Sequence, residues 1–151
     1  MDGQSLQDTW TLNDYSSCFG CGPENNHGLK IQSFWNGKEG ICRWKAEPHH
    51  KGITGILNGG IIATLIDCHS FRTGLAALCQ REGIPFGKGT PMKMVTGAMT
   101  VTYLHPIPVD AELELKAHLL KMGKRSRLVS CSVSIDGKEH TRGEVTLVLV
   151  D

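Results

Sequence analysis

The sequence lacks a strong charge of either sign, so it offers no broad electrostatic surface for nucleic acid. Its 16 basic and 15 acidic residues leave a net charge of +1, which creates no bulk field to attract a polyanion. No apolar run approaches the ~20 residues that a membrane-spanning helix needs. The first residues, MDGQSLQDTW, include acidic side chains and no apolar run typical of a secretory signal. We therefore predict a cytoplasmic protein that binds neither nucleic acid nor membrane.

Internal repeats and low-complexity segments are missing as well, which argues against solenoid and disordered classes. A chain of 151 residues fits one domain and can bury a sizeable core without covalent cross-links. Six cysteines are present. Without an export signal they are expected to be free thiols in a reducing compartment.

Apolar residues alternate with polar ones through much of the chain, a period of two that is typical of strands with one buried face. Turn formers separate these segments, as at Asn36-Gly37, where both residues tolerate positive φ. Residues 1–27 are instead predicted to be irregular, because turn formers crowd CFGCGPENNHG. The predicted strands cover residues 29–35, 40–47, 99–103, 112–120, 129–135 and 144–150.

One segment, residues 59–81, follows the helical period instead. Apolar residues cover nearly all sides of its first half, so we expect a buried helix. Gly83 is a suitable C-terminal cap, and a glycine-rich loop follows over residues 83–91. The order strand, strand, long helix and four strands predicts an α+β domain over residues 28–151. In it an antiparallel sheet wraps around one long central helix.

The most specific signal is carried by CFGCGPENNHGL (18–29), HKGITGILNGGIIATLID (50–67), TGAMTVTYLHPIP (96–108) and the strand pair that follows. In this order the segments resemble the PaaI-like acyl-CoA thioesterases, a family with the hotdog fold. The most recognisable element of that family is His-Gly-Gly, with an Asp or Glu on the helix that follows. Here the element reads Asn58-Gly59-Gly60, with Asp67 nine positions after Asn58.

The resemblance implies hydrolysis of an acyl- or aryl-CoA thioester, with coenzyme A as part of the substrate and no other cofactor. That reaction needs donors that polarise the carbonyl and a base or nucleophile near its carbon. Gly59 and Gly60 at a helix start leave backbone N–H groups free and let a substrate approach closely. By the resemblance, Gly60 donates to the oxyanion, Asp67 is the base or nucleophile, and Thr96 orients the water or the carboxylate.

Spacing along the helix separates Gly60 from Asp67. Seven residues span about two turns, or roughly 10 Å, whereas an attacking group must lie about 3–3.5 Å from the carbonyl carbon. We therefore expect a composite site, with Gly60 from one subunit and Asp67 and Thr96 from another. This agrees with the homodimers and dimers of dimers that the resemblance implies. We also expect Asp67 to be buried, where a carboxylate without a partner is costly.

Two positions depart from the family pattern. Asn58 replaces the usual histidine; its amide can donate a hydrogen bond but carries no transferable proton, and Asn is also a favoured N-cap, so both roles stay open. Gly52 stands where some similar enzymes have Asn or Gln, and His50 or His49 is expected to contact the substrate instead. The alternative function is an acyl-CoA or small-ligand binding protein without hydrolytic activity.

Cys18-x-x-Cys21 provides only two of the four ligands of a structural zinc site. His27 could be a third ligand, but no second Cys-x-x-Cys is present. We therefore predict a tight turn near the mouth of the site and no metal.

A Ser–His–Asp set on the helix is excluded, because residues one and two positions apart point in different directions. Asp67 therefore cannot orient His69 towards Ser70. Cys68 has the same difficulty as a nucleophile and is expected to pack in the core.

Four basic residues cluster at one predicted hairpin: Lys121, Lys124, Arg125 and Arg127. Such clusters are usually solvated turns. Their charge could also meet the phosphates of coenzyme A, so Lys124 and Arg125 are candidate substrate-binding residues.

Overall fold

The computed structural model describes residues 3–10, 13–87 and 93–150. In chain order its elements are α1 (Leu6–Thr9), α2 (Asn13–Ser16), β1 (Phe34–Trp35), β2 (Gly40–Lys45), a 3₁₀ helix (Pro48–His50), α3 (Gly59–Glu82), β3 (Lys93–Tyr103), β4 (Glu112–Met122), β5 (Ser126–Ile135) and β6 (Lys138–Val150). The strands form one antiparallel sheet in the order β1-β2-β4-β5-β6-β3. This sheet covers α3, as expected for an α+β hotdog domain.

Helix α3 is the centre of the core. Asn58 caps its start, and Gly83 ends it in a left-handed conformation with φ +68°, as predicted. Buried residues run from Ile62 to Cys79, so burial continues well past the apolar first half. By length and composition α3 could cross a membrane, but 67% of its most apolar stretch is buried inside the fold. The same composition is therefore explained by a core helix.

The last three strands confirm the predicted alternation. Every second residue faces α3: Leu113, Leu115 and Ala117 in β4, Val129, Cys131 and Val133 in β5, and Val145 and Leu147 in β6 are buried. The intervening residues of β4 and β5 are exposed or half-buried. One face of this part of the sheet therefore supplies most of the core opposite α3.

Two predicted strands differ from the structure. The segment 29–35 forms a strand only at Phe34–Trp35, because Lys30 takes a left-handed conformation with φ +56° that breaks the extended chain. Strand β3 begins at Lys93, six residues before the predicted start. The expectation that one face of β3 is buried is also wrong. Strand β3 lies at the edge of the sheet, and Met94 is its only buried residue. Of the predicted loop 83–91, residues 88–91 lie outside the described residues.

The N-terminal segment is not merely irregular, since it holds α1 and α2. Leu6, Trp10 and Cys21 are buried in the same cluster as the residues of α3 and the sheet. A backbone hydrogen bond from Leu6 N–H to the Ser33 carbonyl, 2.8 Å long, attaches α1 to the chain that enters β1. The N-terminal segment therefore contributes Leu6, Trp10 and Cys21 to the core of the domain.

His69 sits in the core and takes no part in a catalytic set with Asp67. Its Nε2 donates to the Gly40 carbonyl at 3.0 Å, which leaves Nδ1 to accept the Ser33 hydroxyl at 2.8 Å. Gln7 Nε2 in turn donates to Ser33 Oγ at 3.1 Å. The imidazole therefore joins the N-terminal segment, β2 and α3, and the exclusion of a Ser–His–Asp set is confirmed.

This buried histidine predicts a pH-dependent stability. Burial lowers the pKa of His69 to about 4, whereas an unfolded histidine titrates near about 6.5. The unfolded chain therefore binds more protons between these values, so stability present at neutral pH is lost as pH falls through that window. The free energy of unfolding should have fallen by about 3 kcal/mol at the acidic end of this pH window.

Urea unfolding of the wild type and His69→Gln between pH 7 and pH 4 tests this. The glutamine amide can replace both hydrogen bonds but does not titrate, so its stability should fall less steeply with acid. His140→Gln changes a half-buried histidine of β6 and should keep the wild-type slope. Equal slopes for all three proteins would contradict the role of His69.

Candidate active site

Asp67 is half-buried on α3 and faces β3, so it is less buried than expected. Thr96 Oγ1 donates a 2.6 Å hydrogen bond to Asp67 Oδ1. The register of β3 against β6 shifts directly after Thr96, where Gly97 is the extra residue of a β-bulge. Bulges commonly re-aim side chains beside functional sites. The sheet therefore brings together two residues that are 29 positions apart in sequence and were predicted to share one half of the site.

The start of α3 is capped by Asn58. Its Oδ1 accepts the N–H of Gly60 at 2.8 Å and that of Ile61 at 3.1 Å. The cap role is therefore present, and only the Nδ2 donor of Asn58 is left for a substrate. Gly60 N–H, predicted to be an oxyanion donor, is occupied by Asn58 in this structure.

This cap predicts a stability effect. Asn58→Ala removes the acceptor for two N–H groups and is expected to destabilise the protein by about 1 kcal/mol. Asn58→Ser keeps a capping oxygen and should recover most of that loss. Denaturant unfolding of both variants measures the difference. If the alanine and serine variants were equally stable, the cap would contribute nothing.

The two predicted halves of the site line different cavities within one chain. Asp67 and Thr96 lie on a cavity of about 200 Å³, whose walls also include Tyr15 and Phe71. The rings of Tyr15 and Phe71 pack edge to face with centroids 5.7 Å apart. Asn58 and Gly59 lie on a separate cavity of about 600 Å³. A single chain therefore does not join the carboxylate to the helix start.

Tyr103 is a contributor that the sequence did not single out. Its hydroxyl donates a 2.7 Å hydrogen bond to the Gly59 carbonyl and lines the cavity at the helix start. A tyrosine at the end of a strand has no distinguishing local pattern. Only the crossing of β3 over the start of α3 brings it there.

Three cysteines meet at the wall of the cavity that holds Asp67. The Sγ atoms of Cys18, Cys21 and Cys68 lie within 4.8 Å of one another. Cys68 packs in the core, as expected, and its side chain also lines this cavity. The predicted tight turn around Cys18 and Cys21 is present, whereas His27 is exposed and lies outside the cluster.

Arg72 lies beside these cysteines and is almost fully buried, with 1% of its surface exposed. Its Nη2 is 3.9 Å from Cys21 Sγ, and its guanidinium stands 5.1 Å above the centre of the Tyr15 ring. Its Nε and Nη1 have no hydrogen-bond partner within the described part of the chain. The helical pattern of the sequence gave no sign that this arginine is buried rather than exposed at the surface.

His50 belongs to a local structural cluster. It stacks on Trp44 with ring centroids 5.4 Å apart, and its Nδ1 accepts the Glu47 N–H at 2.9 Å. Burial, followed by the nearby charge of His49, lowers the pKa of His50. Its side chain lines neither the cavity with Asp67 nor the one with Asn58.

The basic cluster is only partly available to a ligand. Arg127 is buried, and its Nη1 donates to the Gly123 and Ser126 carbonyls at 2.9 Å each. Arg125 Nη2 donates to the Leu149 carbonyl at 3.2 Å, whereas Lys124 is exposed. The turn thus uses one of its arginines to satisfy its own carbonyls. Neither Lys124 nor Arg125 lines the two cavities.

Comparisons with known proteins agree with this architecture. A family model described as the thioesterase superfamily matches residues 54–140. The acyl-coenzyme A thioesterase 13 of Mus musculus is 35% identical over 98 residues, which are 65% of this chain and 61% of that protein. The acyl-coenzyme A thioesterase THEM4 of Rattus norvegicus is 29% identical over 132 residues, 85% of this chain and 51% of that protein. The chain therefore spans between half and about three fifths of the length of these relatives.

A solved structure shows the same fold. The crystal structure of a thioesterase superfamily protein from Shewanella loihica PV-4 matches with a TM-score of 0.65 and 29% sequence identity, covering 83% of this chain and 96% of that one. The antiparallel six-stranded sheet around one long helix is therefore a hotdog fold, as predicted.

Proposed function

Because the chain belongs to the thioesterase superfamily, we propose that it hydrolyses acyl- or aryl-CoA thioesters. The observation that carries this proposal is the Asp67 carboxylate, which Thr96 holds by a 2.6 Å hydrogen bond at the wall of a cavity. An oriented carboxylate beside a partly apolar pocket suits general-base attack by water on a carbonyl carbon. The Tyr15 and Phe71 rings offer an apolar wall for the acyl group.

In the proposed reaction, Thr96 fixes one carboxylate oxygen of Asp67 and leaves the other free to take a proton from water. The water oxygen bonds to the thioester carbon, and the carbonyl oxygen takes up negative charge. Collapse of this intermediate breaks the C–S bond, and the departing coenzyme A thiolate receives the proton from Asp67. The products are a carboxylic acid and free coenzyme A, so atoms and charge balance.

The start of α3 provides the donor for the developing negative charge. Backbone N–H groups of the first turn and the positive end of the helix dipole both favour an anion there. For Gly60 to donate, the thioester oxygen must replace Asn58 Oδ1 on its N–H. Asn58 can keep the Ile61 N–H, so the helix retains part of its cap while the substrate binds.

We propose that two copies of the chain complete each site, with Gly60 from one and Asp67 and Thr96 from the other. The cavity at Asp67 measures about 200 Å³, which is smaller than the ~300–1,000 Å³ typical of ligand pockets. Strand β3 provides a surface for such pairing: it is an edge strand of 11 residues. Its Val95 and Tyr103 are 46% and 51% exposed. Long unpaired edges of this kind favour pairing with another strand.

A thiol-release assay with short-, medium- and long-chain acyl-CoA and an aryl-CoA tests the activity. Release from at least one substrate by the wild type is expected. Binding of these compounds without release would instead support the alternative, a non-hydrolytic acyl-CoA or small-ligand binding protein. The occupied Gly60 N–H and the absence of a histidine at position 58 are the features that would favour that outcome.

A further inference from the structure

We propose that Cys18, Cys21 and Cys68 bind one Zn²⁺ ion at the wall of the cavity that also holds Asp67. Their Sγ atoms all lie within 4.8 Å of one another, and those of Cys18 and Cys68 are 3.8 Å apart. Zinc–sulfur bonds of about 2.3 Å at tetrahedral angles place two thiolates about 3.8 Å apart. The three sulfur atoms are therefore close enough to share one ion. The proposal departs from the expectation of no metal, because the fold adds Cys68 to the two cysteines of the turn. It does not depend on thioester hydrolysis.

The turn that carries Cys18 and Cys21 is fixed by the rest of the fold. Gly22 N–H donates to the Cys18 carbonyl at 2.8 Å, and Ile31 N–H donates to the Gly20 carbonyl at 3.1 Å. A Cβ atom at Gly20 would clash with Cys68 Sγ, so glycine is required for the turn to approach α3 this closely. The thiols of the turn are therefore held against Cys68 before any ion binds.

Arg72 supplies the charge balance that distinguishes Zn²⁺ from a monovalent ion. Among the described residues its guanidinium is in no ion pair with a carboxylate, although it is almost fully buried, and such isolation is costly. Three thiolates with Zn²⁺ carry one negative charge in total, which Arg72 neutralises. Three thiolates with Cu⁺ would leave an excess negative charge in a buried site. The chemistry of the wall therefore favours Zn²⁺.

The fourth coordination position would face the cavity. Zinc is usually four-coordinate, and all three cysteines line the same cavity as Asp67 and Thr96. Water is the simplest ligand for that position. The site differs from a closed four-cysteine zinc site, because one ligand is exchangeable.

Elemental analysis of the protein, isolated under reducing conditions from zinc-supplemented cells, is the first test. One zinc per chain is expected. Titration of the metal-free protein with Co²⁺ should give thiolate-to-cobalt charge-transfer absorption. Cys18→Ser and Cys68→Ser should each abolish zinc retention through dialysis, whereas Cys79→Ala should keep it. Cys79 is a matched control, because it is buried on the same helix but lies outside the cluster.

Arg72→Gln tests the charge argument. Loss of this neighbouring cation is expected to weaken Zn²⁺ affinity about 10- to 100-fold, measured by competition with a chromophoric chelator. A second measurement needs no variant. Bound Zn²⁺ should slow the alkylation of Cys18, Cys21 and Cys68 relative to the metal-free wild type, and it should leave the alkylation of Cys79 unchanged. Peptide mass spectrometry maps the modified residues.

Three outcomes would overturn the proposal. The first is no zinc in the wild type and no protection of the three cysteines. The second is undiminished zinc in a folded Cys68→Ser variant, with circular dichroism as the check on folding. The third is a disulfide within the cluster, or uptake of Cu⁺ alone, in a protein that binds no Zn²⁺ after reduction.

Discussion

Replacing Asp67 by Asn is expected to lower kcat for thioester hydrolysis by about 10²- to 10⁴-fold. The amide has the shape of the carboxylate, and its oxygen can still accept the Thr96 hydroxyl, but it cannot take a proton from water. The rate of thiol release at saturating acyl-CoA measures the effect. Asp136→Asn is the control, because it makes the same chemical change at the β5–β6 turn and should keep the wild-type rate.

Thr96→Val separates positioning from base chemistry. It leaves the carboxylate free of its 2.6 Å hydrogen bond and should reduce kcat less than Asp67→Asn does. Full activity in Asp67→Asn, with an unchanged melting temperature, would remove Asp67 from the reaction.

Gly60→Pro is expected to lower kcat by about 10²- to 10³-fold, the typical effect of losing one oxyanion donor. Proline deletes the N–H, and the first turn of a helix tolerates it, because that N–H has no partner within the helix. Asn58 keeps the second of its two capping contacts, the one to Ile61. The expected loss therefore reflects the donor more than the helix.

Gly60→Ala is the matched variant, since it keeps the N–H and adds only a Cβ, which would meet Asn58 Oδ1 at 3.0 Å. It should retain more activity than Gly60→Pro. The two variants should be compared at equal concentrations of folded protein. Equal rates under that condition would show that the backbone donor does not contribute.

The architecture was predictable because two periods are clear in the sequence. Strands β4 and β5 alternate strictly, and α3 is apolar on nearly all sides with a glycine at its C-terminus. These patterns report burial directly. Strand β3 was misjudged because its alternation of Met99, Val101 and Tyr103 occurs on an edge that is exposed in a single chain.

The strand predicted over residues 29–35 failed for a local reason. Lys30 adopts a left-handed backbone, and no composition rule signals this for a lysine. Leu29 and Ile31 are nevertheless buried, so the apolar pattern correctly identified core residues while the backbone followed another path.

The site was predictable where residues fall within one motif and less so where the fold joins distant segments. The pair Asp67 and Thr96 was found through the family resemblance, and the structure brings the two side chains into contact. Cys68 was separated from Cys18 by 50 positions, so no sequence spacing could join them. Arg127 shows that neighbouring residues can also mislead. The local cluster of basic residues gave no sign that Arg127 is bonded to the carbonyls of its own turn.

The composite site is the central claim, and mixing two inactive variants tests it most directly. Asp67→Asn chains keep Gly60, and Gly60→Pro chains keep Asp67 and Thr96. When the two are unfolded together and refolded, each mixed dimer should contain one intact site. With random pairing, about a quarter of the wild-type thiol-release rate should return. Recovery no greater than the sum of the two variants refolded separately, despite mixed dimers confirmed by mass spectrometry, would contradict a site shared between two chains.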